Sequence, residues 1–116
     1  MRVLVCGGRN YRDHQRVAAV LDKLHRDAGI TTVIQGGAKG ADELAFAWAY
    51  ANGVQNEQYD ADWENFGTMA GPIRNKRMLQ EGRPDVVIAF PGGKGTANMV
   101  ALASKFGVEV VKIAEA

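Results

Sequence analysis

Three glycine-bearing turns in this chain offer the backbone to an anion. Gly36-Gly37-Ala38-Lys39-Gly40-Ala41-Asp42 follows the apolar run Thr32-Val33-Ile34, and Pro91-Gly92-Gly93-Lys94-Gly95-Thr96 follows Val86-Val87-Ile88-Ala89-Phe90. A shorter turn, Gly7-Gly8-Arg9, follows Val3-Leu4-Val5-Cys6. Glycine lets the main chain approach a ligand closely and aim N–H groups at it. A helix opening just beyond such a turn adds its positive end, which makes phosphate the natural guest.

The side chains around these turns extend that chemistry. Asp42 sits where a helix should begin, so it either answers the helix dipole, orders the glycine turn or bonds a ribose hydroxyl. Asp60, Asp62 and Glu64 surround Trp63. They are either solvated loop acids or carboxylates beside an indole, where a raised pKa and a stacked base are both expected. Arg74 and Asn75 follow Gly71-Pro72. If Pro72 starts a helix, Arg74 falls in its first turn, where a cation is unfavourable unless an anion lies near. Arg9, just past Gly7-Gly8, has a similar case. His14 and His25 lack acid or cysteine partners at ligand spacing, so no metal is implied.

Two familiar phosphate motifs are missing. The first turn lacks the full G-x-G-x-x-G pattern, and Gln35 stands where a ribose-binding acid would end the second strand. Lys39 and Lys94 each precede a glycine rather than Ser or Thr, so there is no G-x-x-x-x-G-K-[ST] loop. Nothing in the sequence calls for a cofactor.

These residues need a scaffold that brings several turns to one edge. Apolar runs predict strands at about Arg2–Cys6, Thr31–Gln35, Val54–Tyr59, Asp85–Phe90 and Val108–Ile113. All except Val54–Tyr59 read as nearly continuous apolar strands covered on both faces, whereas that more polar run suits an edge. Helical periodicity predicts helices at about Asp13–Asp27, Ala41–Asn52, within Phe66–Gln80, and at about Thr96–Phe106. The last should bury Met99, Val100, Ala103 and Phe106 and stop at Gly107. The alternation gives an α/β fold, a three-layer Rossmann-like sandwich with a five-stranded parallel sheet in the order 3-2-1-4-5. Ligands of such sheets bind beyond the carboxyl ends of the strands, where all three turns fall.

At 116 residues the chain reads as a single domain, with 47% hydrophobic and 23% charged residues. Its formal net charge of +1 gives no general attraction to nucleic acid or anionic membrane, so anion binding must be local. The single cysteine, Cys6, excludes an internal disulfide and reads as a buried structural thiol at a strand end. The opening apolar run is too short for a signal peptide or membrane span, and the expected location is the cytoplasm.

The string Pro91-Gly92-Gly93-x-Gly95-Thr96 resembles the P-G-G-x-G-T loop of the LOG-type ("lonely guy") phosphoribohydrolases, which cleave the base from nucleoside monophosphates. Gly36-Gly37-Ala38-Lys39-Gly40-Ala41-Asp42 resembles the matching turn of the Smf/DprA DNA-processing proteins. With Asp62-Trp63 and Ala70-Gly71-Pro72-Ile73-Arg74-Asn75, the chain looks most like the YspA-like branch of the SLOG superfamily of Rossmann-like nucleotide-binding domains. That resemblance implies a ligand site built from Gly7, Gly8, Arg9, Gly36, Gly37, Gly40, Asp42, Trp63, Arg74, Asn75, Pro91, Gly92, Gly93, Gly95 and Thr96. In it the Pro91–Thr96 loop cradles phosphate, Arg74 is the counter-charge, and Gly36, Gly37 and Asp42 lie on the ribose side.

The resemblance also implies assembly with a second copy, since LOG-type sites are completed across a dimer. It breaks at one point. LOG-type enzymes continue P-G-G-x-G-T-x-x-E with a catalytic glutamate, and here that position holds Met99, which moves no proton. The reading is therefore a module that senses or sequesters a phosphorylated nucleoside or ADP-ribose-like ligand. The alternative is an N-glycosidic nucleotide hydrolase using another acid, with Asp42 and Asp62 as candidates. A single-stranded DNA binder is disfavoured by the neutral charge balance and the scarcity of aromatics.

Overall fold

A computed structural model of the chain, which describes residues 1–115, contains five strands and the helices that cover them. The strands are β1 (Arg2–Cys6), β2 (Thr32–Gln35), β3 (Gln55–Gln58), β4 (Val86–Ala89) and β5 (Glu109–Lys112). They form one sheet in the order β3-β2-β1-β4-β5, and every pairing is parallel. The four long helices are α1 (His14–Ala28), α2 (Ala41–Ala51), α4 (Ala70–Gly82) and α5 (Lys94–Lys105). A short helix α3 (Trp63–Phe66) and a 3-10 turn (Gly67–Met69) lead into α4.

Strand alternation divides the core between the two faces. Val3 and Val5 of β1 point to one side, where Val17 and Leu21 of α1 and Ala45, Trp48 and Ala49 of α2 pack on them. Leu4 and Cys6 point to the other, against Met78 and Leu79 of α4 and Met99 and Ala103 of α5. The alanines of α2 bring its backbone close to the sheet, and the buried Trp48 indole donates to Asp22 Oδ1 at 2.8 Å.

Two burial expectations fail, one at the fifth strand and one at the end of α5. Glu109 and Lys112 interrupt the apolar residues of Val108–Ile113, and β5 lies at the sheet edge, so it is mostly exposed rather than covered on both faces. Phe106, expected in the buried stripe of α5, is an exposed residue at its C-terminal cap, one position past the helix. Gly107 then takes a positive φ of 72°, which ends the helix as expected.

Helix α4 begins at Ala70, two residues ahead of Pro72. Pro72 therefore occupies the first turn, where its missing N–H costs nothing. Arg74 consequently falls in the second turn, not the first, and the argument from an unfavourable helix-end cation does not hold. Among the described residues, no helix is long and apolar enough to cross a membrane, and no group of three or more His, Cys, Asp or Glu side chains is arranged to hold a metal ion.

Candidate functional site

The ends of β1, β2 and β4 bring the three glycine turns to one edge of the sheet, around the point where strand order reverses. The turns are tied directly together. Gly8 N–H donates to the Pro91 carbonyl at 2.9 Å, and the Gly8 carbonyl accepts from Ala41 N–H at 3.2 Å and Tyr11 N–H at 3.2 Å. Gly40 sits against this knot with a φ of 79°, and a Cβ there would lie 2.2 Å from the Gly8 oxygen. Only glycine satisfies both the dihedral and the approach. The Gly7-Gly8 turn is therefore a strut between the other two turns, its Gly8 polar groups already used.

In the Gly36–Asp42 turn, the Gly36, Gly37, Ala38 and Gly40 amides are also spent. Asp42 Oδ2 accepts from Gly36 N–H at 3.2 Å and Ala38 N–H at 3.1 Å. Gly37 N–H donates to Gln35 Oε1 at 2.6 Å, and Gly40 N–H to Glu43 Oε1 at 3.1 Å. Gln35, fully buried, is braced in turn by Gln58 Oε1 at 2.8 Å. The residue that replaces the ribose-binding acid of dinucleotide folds thus holds the turn from inside. Of the roles open to Asp42, the structure shows the ordering of the loop.

Asp42 Oδ2 is fixed by two N–H groups in a buried place, so its loss is measurable. Asp42→Ala strands both donors and should cost about 1–3 kcal/mol of unfolding free energy, while Asp42→Asn keeps an acceptor and should cost much less. Burial pushes the Asp42 pKa above the ordinary 3.8, partly opposed by the Ala38 N–H, Arg74 and the Gly36 N–H. The folded chain therefore holds that proton more tightly than the unfolded one. The resulting stability is full below the ordinary carboxylate pKa and declines as pH rises through the raised value. In urea titrations, the difference between parent and Asp42→Asn should shift in favour of the asparagine variant as pH climbs from 3.8.

The Pro91–Thr96 turn differs from the other two. No side chain caps the start of α5 at Gly93. The Lys94, Gly95 and Thr96 N–H groups have no partner among the described residues, as expected for a first helical turn left uncapped. They border a cavity of about 490 Å³, in the size range of small-molecule sites. Gly7, Gly8, Arg9, Asp42, Trp63, Arg74, Asn75, Gly93, Gly95 and Thr96, all anticipated from sequence, line it. Gly36 and Gly37 open instead on a neighbouring hollow, while Gly40, Pro91 and Gly92 serve the backbone knot and line neither.

Arg74 and Asn75 are wired into this frame. Arg74 Nη1 donates to the Gly36 carbonyl, and its Nε donates to Asn75 Oδ1 at 3.0 Å. Asn75 Nδ2 donates to the Gly95 carbonyl at 3.2 Å and to Asn98 Oδ1 at 2.9 Å. Asn75 is buried, and each of its side-chain polar atoms has a protein partner. It links the α5 turn to the Arg74 guanidinium, which makes it a positioning residue. Burial pushes Arg74 below the usual guanidinium value, with Asp42 acting in the opposite direction.

The acids near Trp63 are placed differently. Asp62 caps α3, accepting from Asn65 N–H at 3.2 Å and Asn65 Nδ2 at 2.8 Å, and it lines neither cavity. Trp63 itself is 49% exposed, with the Arg9 guanidinium 5.5 Å above its ring. Cys6 forms part of the cavity floor, and burial followed by the Asp42 charge pushes its thiol up to about 12, so it stays protonated at neutral pH. Met99 is wholly buried in the core beneath the site.

Sequence reasoning missed several lining positions, among them Thr68, Met78 and Asn98. Asn98 was legible in principle, since it lies one turn beyond Lys94 on the same helix. Thr68 belongs to the 3-10 turn ahead of α4, for which no periodic signal exists.

The parallel sheet in the order β3-β2-β1-β4-β5, with helices on both faces, is that of a Rossmann-like domain. The chain belongs to the YspA, cpYpsA-related SLOG family, whose model matches residues 1–66. It is 38% identical to the Gene 61 protein of Mycobacterium phage D29, across 98% of this chain and 97% of that protein. Among solved structures it superposes on DNA processing protein A (DprA) from Streptococcus pneumoniae with a TM-score of 0.79 at 19% identity. That match covers 99% of this chain and 50% of DprA, so the chain spans about half the length of that structure. At this identity the likeness is one of fold.

Proposed function

We propose that this protein binds a phosphorylated nucleoside or ADP-ribose-like small molecule without cleaving it, as a sensor or sequestering module. The observation that carries this reading is the start of α5, where three successive amides, Lys94, Gly95 and Thr96, have no partner among the described residues and open on the 490 Å³ cavity. Phosphate sits at Gly93–Thr96, Arg74 supplies the counter-charge, and the exposed face of Trp63 receives the base. Membership in a SLOG family supports a nucleotide-related ligand. With Met99 buried, the position of the LOG-type acid lies in the core and faces no substrate.

A specific observation supports a second reading, an N-glycosidic hydrolase. Asp42 lines the same cavity and its carboxyl is pushed towards the protonated form, as a general acid requires. Its commitment to two loop amides argues for the structural role. The apolar residues Phe66 and Met69, exposed and outside both cavities, support a homodimeric assembly. Sedimentation should then show a dimer at micromolar concentration, and only monomer would count against it.

A thermal-shift screen against nucleotides, followed by chromatography of every hit, separates the readings. Stabilisation with intact nucleotide is the expected result. Free base in amounts exceeding the protein, lost in Asp42→Asn, would establish the hydrolase.

A further inference from the structure

Beside the cavity at α5 lies a second hollow of about 480 Å³, bordered by Gly36–Lys39 on one side and Asp60-Ala61 on the other. The two share Arg9, Ala38, Trp63 and Arg74. The α5 turn lines only the first, and Lys39 only the second. Positive groups thus run along the pair, with the α5 amides at one end, Arg9 and Arg74 at the seam and Lys39 at the other end, while one acid lines each hollow, Asp42 the first and Asp60 the second.

None of these three cations forms an ion pair among the described residues; Arg2, Lys23 and Arg77 make the pairs that exist. The acid of the second hollow, Asp60, accepts from Gln58 Nε2 at 2.8 Å. The Gly36, Gly37 and Ala38 amides are spent on Asp42 and Gln35, so the hollow offers side-chain charge rather than a backbone cradle. A lysine at such a place acts as a point charge, which suits a terminal phosphate.

We infer that the second hollow is a second anion subsite, and that the ligand carries two phosphate groups held apart by its nucleoside portion. This rests on the proposed reading of the first cavity as a nucleotide-phosphate site. One phosphate occupies the α5 turn and the other meets Lys39, with Arg9 and Arg74 between them and the base near Trp63. A ligand with one phosphate leaves Lys39 solvated. A second phosphate adds charge-assisted contacts at a partly open site, where screening limits the gain.

The test is calorimetric titration of the full chain with adenosine 5′-monophosphate and with adenosine 3′,5′-bisphosphate at fixed ionic strength. The bisphosphate should bind about tenfold tighter, the gain of one modest charge-assisted contact. Lys39→Ala should erase most of that advantage while changing monophosphate affinity less than about twofold, and Lys39→Arg should restore it. Lys39 makes no ion pair among the described residues, so these variants should fold. Equal affinity for the two ligands, or an equal loss for both in Lys39→Ala, overturns the second subsite and leaves the first standing. No binding of either removes the nucleotide reading and the inference with it.

Discussion

Gly93→Val is expected to reduce nucleotide affinity at least about a hundredfold while leaving the protein folded. Gly93 lines the cavity at the start of α5, and a Cβ built there meets nothing within 4 Å. The added methyl groups therefore find room in the protein but occupy space beside the free amides. A phosphate pushed outward loses at least two charge-assisted hydrogen bonds, each worth about 1.5–3 kcal/mol. Loss of two such bonds exceeds about a hundredfold in affinity. Unfolding free energy should fall by no more than about 1 kcal/mol, the cost of a β-branched residue at a helix N-cap. Calorimetry and urea denaturation on the same preparation check both halves. Unchanged affinity would place the site elsewhere.

Met99→Glu, which restores the LOG-type acid, is expected to destabilise the fold rather than create a hydrolase. Met99 is 0% exposed and packed with Leu4, Ile34, Met78 and Val87. A carboxylate there loses its hydration and gains no cation, at a cost of about 3–5 kcal/mol at neutral pH. Met99→Leu, which conserves volume, should cost less than about 1.5 kcal/mol. Burial raises the pKa of the introduced acid above its unfolded value of about 4.3, so the penalty is smallest below that pH and grows as pH rises. Urea midpoints at low and neutral pH check the sign. A fully stable Met99→Glu variant that released base from a monophosphate would show that this position faces the ligand.

The fold is legible because each strand near the centre of the sheet announces itself. Val3–Cys6 and Val86–Ala89 are unbroken apolar runs, and their glycine turns mark the carboxyl ends. At the margins the signal fails for a physical reason. Val108–Ile113 has strand-forming residues, but Glu109 and Lys112 interrupt them, and an edge position exposes what composition alone would bury. Helix α3 escapes a search for periodicity because it is a single turn, although Asp62 and Asn65 carry the spacing of an N-cap with its third residue.

The site divides in the same way. Composition identifies the three turns, but not which turn has spent its amides. That depends on long-range partners such as Gln35 with Gln58 and Gly8 with Pro91, which no local pattern encodes. The helix-end argument for Arg74 is removed by the start at Ala70. Its place in the site comes instead from its bond to Gly36 and its link to Asn75.

Amide NMR of the labelled protein titrated with adenosine 5′-monophosphate decides whether the open start of α5 receives the phosphate. Saturable shifts should be largest at the Gly93, Lys94, Gly95 and Thr96 amides. The Gly36 and Ala38 amides, held by Asp42, should move little, and the nucleotide should remain intact through the titration. Shifts confined to the Gly36–Asp42 turn, or none at any concentration that stabilises the fold, would contradict that placement of the phosphate.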